Sequence, residues 1–370
     1  MNPFRSRSPA AGAVSLAVAV LLAAPALPSY AVERPHTHDD YVAHAASATA
    51  PRPFPVSGLG IGADPAIPFA FASDPDFGGG NWQLHRTDGT TLALPGLTWS
   101  TWAPVGDGAI GMAGTEAGPE LQIVSGSGRV RTRMLEHFGL AVSPGHDLVS
   151  WLGDRGSPHV VEGGGTRHLT MPRVARGRAP AAVWGHDTCQ EQEPEGGGCT
   201  VFVNGAHGAW LTTSHGIVDR ARPLLQVSDV NQVGRVAGLV SRRTAQRPAC
   251  WGVVRPDGHR VFRTCGSYLD SFSPDGHRVL VEHSQAQWQS VRRFAILGHD
   301  GRVVRSWTFA PGRHRGLSQL TWEDSHHLLG VLLAHGRWGL VRIGTDGTVE
   351  YAGAPVAVVN EFAPYSLPLR

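Results

Sequence analysis

The chain has 370 residues, long for one ordinary core and short for three domains. Its 32 basic residues are all Arg and face 30 acidic ones, so a Walker A loop, a Schiff-base lysine and a Ser–Lys nucleophile are all excluded. Gly 47 and Pro 27 supply many turns, and only 17% of the residues are charged.

Residues 1–31 read as an export signal. Arg5 and Arg7 precede an uncharged apolar run from Ala10 to Ala24, and Ser29-Tyr30-Ala31 offers a small-x-small cleavage site. That run is shorter than the roughly 20 residues of a spanning helix, and nothing later approaches it, so no membrane span is expected once the signal is removed. Retention of the segment as an anchor is the alternative. Loss of Arg5 and Arg7 leaves 30 Arg against 30 acidic residues, a formally neutral product. The expected location is extracellular or cell-envelope associated.

Residues 32–56 read as a disordered linker, because an Ala/Ser/Thr run followed by Pro51, Pro53 and Pro55 buries too little apolar surface to offset ordering. His36, His38, Asp39, Asp40 and His44 have ligand chemistry, but nothing around them supplies a packed supporting shell, so a solvated tail and no metal are expected.

From Trp82 onward one pattern repeats: a short β-type run, a Gly turn, then a second run. The turn glycines are Gly89, Gly128, Gly165, Gly208, Gly258, Gly301 and Gly347, about 43 residues apart. Asp-Gly between apolar runs marks a hairpin, since the turn needs positive φ. Between them lies a second signal, an apolar residue, Ser or Ala, then Pro: Trp102-Ala103-Pro104, Val142-Ser143-Pro144 and Phe272-Ser273-Pro274. Four short strands in each unit of about 43 residues is the spacing of a β-propeller blade. Residues 57–370 are therefore expected to form one all-β domain, a seven-bladed propeller of four-stranded blades. Residues around Val356 to Phe362 are expected to close it by pairing with N-terminal strands near Ala66 to Ala72, since Phe362-Ala363-Pro364 repeats the inner-strand signal too near the end for another blade.

Phe272-Ser273-Pro274-Asp275-Gly276-His277-Arg278-Val279-Leu280 resembles the Ser-Pro-Asp-Gly repeat of secreted WD40-like propellers of the TolB type. The other copies, Val142-Ser143-Pro144-Gly145-His146-Asp147 and Trp322-Glu323-Asp324-Ser325, are partial, and the Trp-Asp dipeptide is absent. The resemblance implies the propeller architecture and carries no functional residue. It leaves both binding modules and propeller enzymes open.

Four Cys in an exported chain imply two disulfides. Cys250 and Cys265 lie symmetrically about the Asp257-Gly258 turn and face each other if the loop has two or four residues; a three-residue bulged loop would shift the register by one. Cys189 and Cys199 close a Glu- and Gly-rich loop.

Motifs for chemistry are mostly missing. There is no His-Glu-x-x-His, Gly-x-Ser-x-Gly, dinucleotide fingerprint or EF-hand loop, and no cofactor is expected. Of the 19 His, many fall singly at turns, as at His146, His207, His259, His277 and His299, and the adjacent His326 and His327 cannot share one face of a strand. The 11 Trp read as packing between blades, with a sugar-stacking platform as the alternative. Asp74, Asp76, Asp187, Glu191, Glu193 and Glu195 have Ca²⁺-ligand chemistry but read as solvated loop residues.

What remains is arginine. Arg173, Arg176 and Arg178, then Arg220 and Arg222, then Arg313 and Arg315 recur at connections between blades, and Arg242, Arg243 and Arg247 fall on a neighbouring loop of the same face. Like charges on one rim repel unless they are screened or used, and the Glu-rich loop at 191–195 should reach that face. The reading is a monomeric, non-catalytic binding or scaffold module whose arginine face docks a protein or an acidic cell-surface polymer, with no nucleic acid involved. The alternative is a hydrolase or lyase with an acid–base pair in the central channel, which requires channel carboxylates, or a His–carboxylate pair, with shifted pKa.

Overall fold

Runs of four to eight apolar residues between Gly turns have the length of strands buried on both faces, and that is what they form. The computed structural model describes residues 50–73, 82–94, 101–135, 139–163, 167–175, 177–185, 189, 198–283, 291–310, 316–359 and 362–369. The expected signal segment, the linker up to residue 49 and the acidic loop residues Asp74, Asp76, Asp187, Glu191, Glu193 and Glu195 lie outside them.

In chain order the strands are β1 (Arg52–Pro53), β2 (Phe69–Ala72), β3 (Trp82–His85) and β4 (Thr91–Leu94). Next come β5 (Thr101–Val105), β6 (Gly108–Thr115), β7 (Gly118–Val124) and β8 (Val130–Met134), then β9 (Leu140–Val142), β10 (Leu148–Leu152), β11 (Pro158–Glu162) and β12 (His168–Thr170). They are followed by β13 (Gly177–Trp184), β14 (Thr200–Gly205), β15 (Gly208–Thr213) and β16 (Val218–Arg220), and by β17 (Gln226–Val230), β18 (Val236–Ser241), β19 (Cys250–Val254) and β20 (Arg260–Cys265). The last group is β21 (Tyr268–Phe272), β22 (Arg278–Glu282), β23 (Arg293–Gly298), β24 (Val303–Thr308), β25 (Gly316–Trp322), β26 (His327–Ala334), β27 (Arg337–Gly344), β28 (Val349–Tyr351), β29 (Val356–Ala357) and β30 (Tyr365–Ser366).

Pairing sorts them into seven sheets, in each of which the four strands of a blade run antiparallel. Blade 1 has the order β30-β2-β3-β4, and blades 2 to 7 are β5–β8, β9–β12, β13–β16, β17–β20, β21–β24 and β25–β28. Seven apolar clusters join consecutive sheets, including one between blades 7 and 1 built on Trp338, Leu340, Tyr365 and Leu367. The protein is a seven-bladed β-propeller. Each middle strand is covered by a blade on both sides, which is why β26 is buried along most of its length.

Three sequence expectations change. Val356–Ala357 pairs with β27, and it is Tyr365–Ser366 that pairs with β2, at Ala70↔Ser366 and Phe71↔Tyr365. Phe362-Ala363-Pro364 thus precedes an inner strand rather than ending one. Burial of Tyr365 and Leu367, and a Trp102 Nε1–H···Ser366 Oγ bond of 3.1 Å, select this arrangement.

Second, the end of the expected linker is ordered. Arg52–Pro53 pairs in parallel with β24, Phe54 stacks on Phe309 inside the cluster between blades 6 and 7, and Gly60 and Gly62 bond the backbone of Tyr351 on β28. This stretch covers the outer edges of two blades, which would otherwise present unpaired strand edges.

Third, the turn between the outer two strands of blade 4 is at Gly216, and Gly208 turns β14 into β15. The long β13–β14 connection that carries Cys189 and Cys199 accounts for the irregular spacing there. Gly165 lies outside the described residues.

Candidate functional site

The cysteines are paired as Cys189–Cys199 and Cys250–Cys265. The turn between β19 and β20 is the bulged kind, with Arg255 and His259 bonded across Pro256, Asp257 and Gly258. A register shift next to Val254 then restores the alignment, so Cys250 and Cys265 stand directly opposite. The ends of the Glu-rich loop are held by Glu162 Oε1, which accepts from Cys189 N at 3.0 Å, and by Ser214 Oγ, which accepts from Cys199 N at 3.1 Å.

Strand direction alternates within a blade, so the connection into an inner strand and the loop between the second and third strands leave from the same end. Arg173 and Arg178 flank the β12–β13 connection, Arg220 ends β16, Arg222 follows it, and Arg242, Arg243 and Arg247 lie on the β18–β19 loop; all seven are exposed. Gly177 pairs with Gly205 beside the β14–β15 turn, and Arg242 Nη2 donates to Ala206 O in that turn at 3.3 Å, which brings the loops of blades 4 and 5 together. The Arg220 guanidinium lies 4.8 Å from the Trp210 ring centre. Among the described residues no carboxylate lies within ion-pair distance of these seven. Arg176, Arg313 and Arg315 lie outside the described residues.

The residues lining the central channel were not legible in the sequence. The central channel holds a cavity of about 250 Å³ walled by the inner strands of blades 3 to 7 and the C-terminal residues Pro368 and Leu369. Its polar residues come from bulges. Register shifts between Val227 and Asp229 on β17, and between Leu269 and Phe272 on β21, turn Ser228, Asp270 and Ser271 out of the ladder and toward the lumen. Ala181, on the same wall, also sits at a bulge.

Asp229 is 7% exposed, and burial raises its pKa to about 8 although Val230 N at 2.7 Å and Phe272 N at 2.6 Å both donate to its carboxylate. The Phe272 bond crosses from blade 5 to blade 6, so both Asp229 oxygens are engaged in holding the backbone. Asp270 accepts from Ser271 Oγ at 3.0 Å. Burial also raises Asp270 and Glu282, and the Asp270 carboxylate pushes Glu282 further upward. Tyr268 stands opposite Glu282 in the ladder; it is 37% exposed, but to the lumen, and enclosure together with the neighbouring acids pushes its pKa up. Partial burial, and then the charge of Arg293, lower the pKa of the half-buried His283 to about 4. Among the described residues no cation pairs with Asp229, Asp270 or Glu282. The trace these residues leave in the sequence is an acid inside a buried strand, as in Val227-Ser228-Asp229-Val230 and Leu269-Asp270-Ser271-Phe272.

The tryptophans are chiefly packing residues: Trp102, Trp307 and Trp322 are fully buried, and Trp322 Nε1 bonds Ser271 O of the preceding blade at 3.2 Å. No group of three His, Cys, Asp or Glu converges on a metal-sized site among the described residues. No helix among them is long and apolar enough to cross a membrane.

No protein-family model matches the chain, and no curated protein matches it. Among solved structures it is similar to Kluyveromyces lactis Hsv2, with a TM-score of 0.44 and 10% identity over 76% of this chain and 94% of that one. It is also similar to the β-propeller domain of the Trilobed protease from Pyrococcus furiosus, at TM-score 0.43 and 14% identity over 68% and 84% of the two chains. YCF48 bound to D1 peptide is a third, at TM-score 0.43 and 11% identity over 69% and 82%. These likenesses concern the fold alone.

Proposed function

We propose that the chain is an exported, monomeric binding module of the WD40-like TolB type whose arginine-bearing face docks an acidic cell-surface polymer or protein. The observation that carries this is the group of seven exposed arginines on three adjoining loop regions with no carboxylate paired to them among the described residues. Guanidinium groups suit such a partner because they bind carboxylate and phosphate through two parallel bonds. The two disulfides support export.

The test is retention of the mature protein on a heparin column at low salt, with elution as salt screens the contact. An Arg220→Glu, Arg222→Glu variant should elute at clearly lower salt with an unchanged melting temperature. Failure of the wild type to bind, or identical elution of the variant, would overturn the reading.

The alternative, a hydrolase or lyase acting in the channel, draws on the raised pKa values of Asp229, Asp270 and Glu282. Against it stands Asp229, whose two oxygens are both tied to backbone N–H groups and are not free for proton transfer.

A further inference from the structure

The arginine face leaves the channel cavity without a role, and its chemistry is of the opposite sign. We infer that the cavity is a binding site for a small organic cation, an amine or guanidinium, received by Asp270 with Tyr268 beside it. This inference does not rest on the arginine face.

The argument starts from size. At about 250 Å³ the cavity far exceeds the 10–15 Å³ that one water needs, yet falls just below the usual range of drug-sized pockets. The neighbouring hollow beneath Asp229, by contrast, is about 10 Å³ and holds a water at most. Charge comes next. The lining carries Asp229 and Asp270 and no basic residue, and Glu282 lies in electrostatic contact with Asp270.

Hydrogen-bonding capacity is also left over. The Asp270 carboxylate accepts from Ser271 Oγ and from no other group among the described residues, and a carboxylate can accept several bonds, so ligand N–H groups have a place to donate.

The shape of the charge then separates organic cations from metals. No three ligating groups converge on a single point, so a bare divalent ion lacks its oxygen cage. The lining also includes Leu140 and Val142 of blade 3 and Leu320 of blade 7. An alkyl amine or alkyl guanidine matches both halves: its head meets Asp270 and the Tyr268 ring face, and its stem lies on the apolar residues.

The titratable and charged groups around the site are Asp229 on β17 with His146 beside it, Tyr268 and Asp270 on β21, Glu282 and His283 on β22, and Arg293 on β23 near His283. The remaining lining residues, from β9, β13, β25 and the C-terminal segment, do not titrate. The acids are protonated at low pH and must ionise to receive a cation, so affinity must rise with pH.

The test is calorimetric titration of the full exported chain with agmatine at pH 5 and pH 8.5. Saturable binding with a Kd of about 1 mM or tighter is expected at pH 8.5, weaker by about tenfold at pH 5, where Asp270 is mostly protonated. Asp270→Asn should abolish it. Because that change removes a buried charge, the variant should fold, and its melting temperature checks this. Tyr268→Phe keeps the ring face and should retain binding, whereas Tyr268→Ala should weaken it. Absence of saturable heat at pH 8.5, equal binding by Asp270→Asn, or a response to Ca²⁺ in place of agmatine would each overturn the inference. The Arg220→Glu, Arg222→Glu variant should bind agmatine as the wild type does, so the two sites fail or stand independently.

Discussion

Arg342 ties the N-terminal segment to blade 7, and removing it should be among the most damaging single changes in the protein. Its Nε and Nη2 donate to Glu323 Oε2 and Oε1 at 2.6 and 2.7 Å, and Nη1 donates to Glu350 at 2.9 Å. The same guanidinium reaches Ala63 O and Asp64 O at 3.2 and 3.0 Å, and Glu323 Oε1 also accepts from Ala66 N at 2.7 Å. The Glu323 side chain is 0% exposed and that of Arg342 14%. In Arg342→Leu the Glu323 carboxylate stays buried without its cation, a situation that typically costs about 3–5 kcal/mol. A domain of about 310 residues has an unfolding entropy of roughly 0.65 kcal/mol/K, so the melting temperature should fall by about 5–8 °C. Calorimetry of Arg342→Leu, Glu323→Leu and the double variant measures this. The double variant should recover much of the loss, because no charge is then left stranded. Hydrogen exchange at Gly62 and Ala66 should accelerate in the single variants. A loss below about 1 kcal/mol for Arg342→Leu, the value of an exposed ion pair, would refute the reasoning.

Asp229 has a folded-state pKa raised to about 8, so its contribution is fully present below its unfolded pKa and is lost as pH rises toward 8. Asp229→Asn keeps one acceptor but turns an N–H donor toward the other backbone N–H, at a pH-independent cost of about 1–3 kcal/mol, and it removes the titration, so its stability should fall less steeply than that of wild type between about pH 4 and pH 8; parallel pH profiles of the two proteins across that window would contradict this. Replacing Cys250 and Cys265 by Ser should lower stability by about 3 kcal/mol on the chain-entropy model while the ring still folds at 25 °C, as circular dichroism can check. Deleting residues 365–370 removes the inner strand of blade 1 and uncovers the edge of β2, so the truncated chain should self-associate in size-exclusion chromatography; a well-behaved monomer would count against the role of Tyr365–Ser366.

The architecture was legible because its signals are local. Asp-Gly turns, apolar runs of strand length and a period of about 43 residues are each encoded within a few positions, and any blade must meet the same packing demand on both faces. The Cys250–Cys265 pair was legible on a symmetry argument, yet the bulge beside Val254 that rescues its register depends on the whole hairpin. The arginines were legible as a recurrence in sequence, whereas the contact between Arg242 and Ala206 belongs to two different blades. A central channel follows from the propeller, but which residues line it was not legible. Side chains alternate along a strand, so one extra residue sends a side chain to the other face. Whether Asp270 points into the lumen or between blades is therefore decided by the bulge that separates Leu269 from Phe272, and that bulge answers to the strands it pairs with. The same holds for Tyr365–Ser366: two residues carry little signal of their own, and only the vacant inner place of blade 1, bounded by β2 and Trp102, makes them a strand.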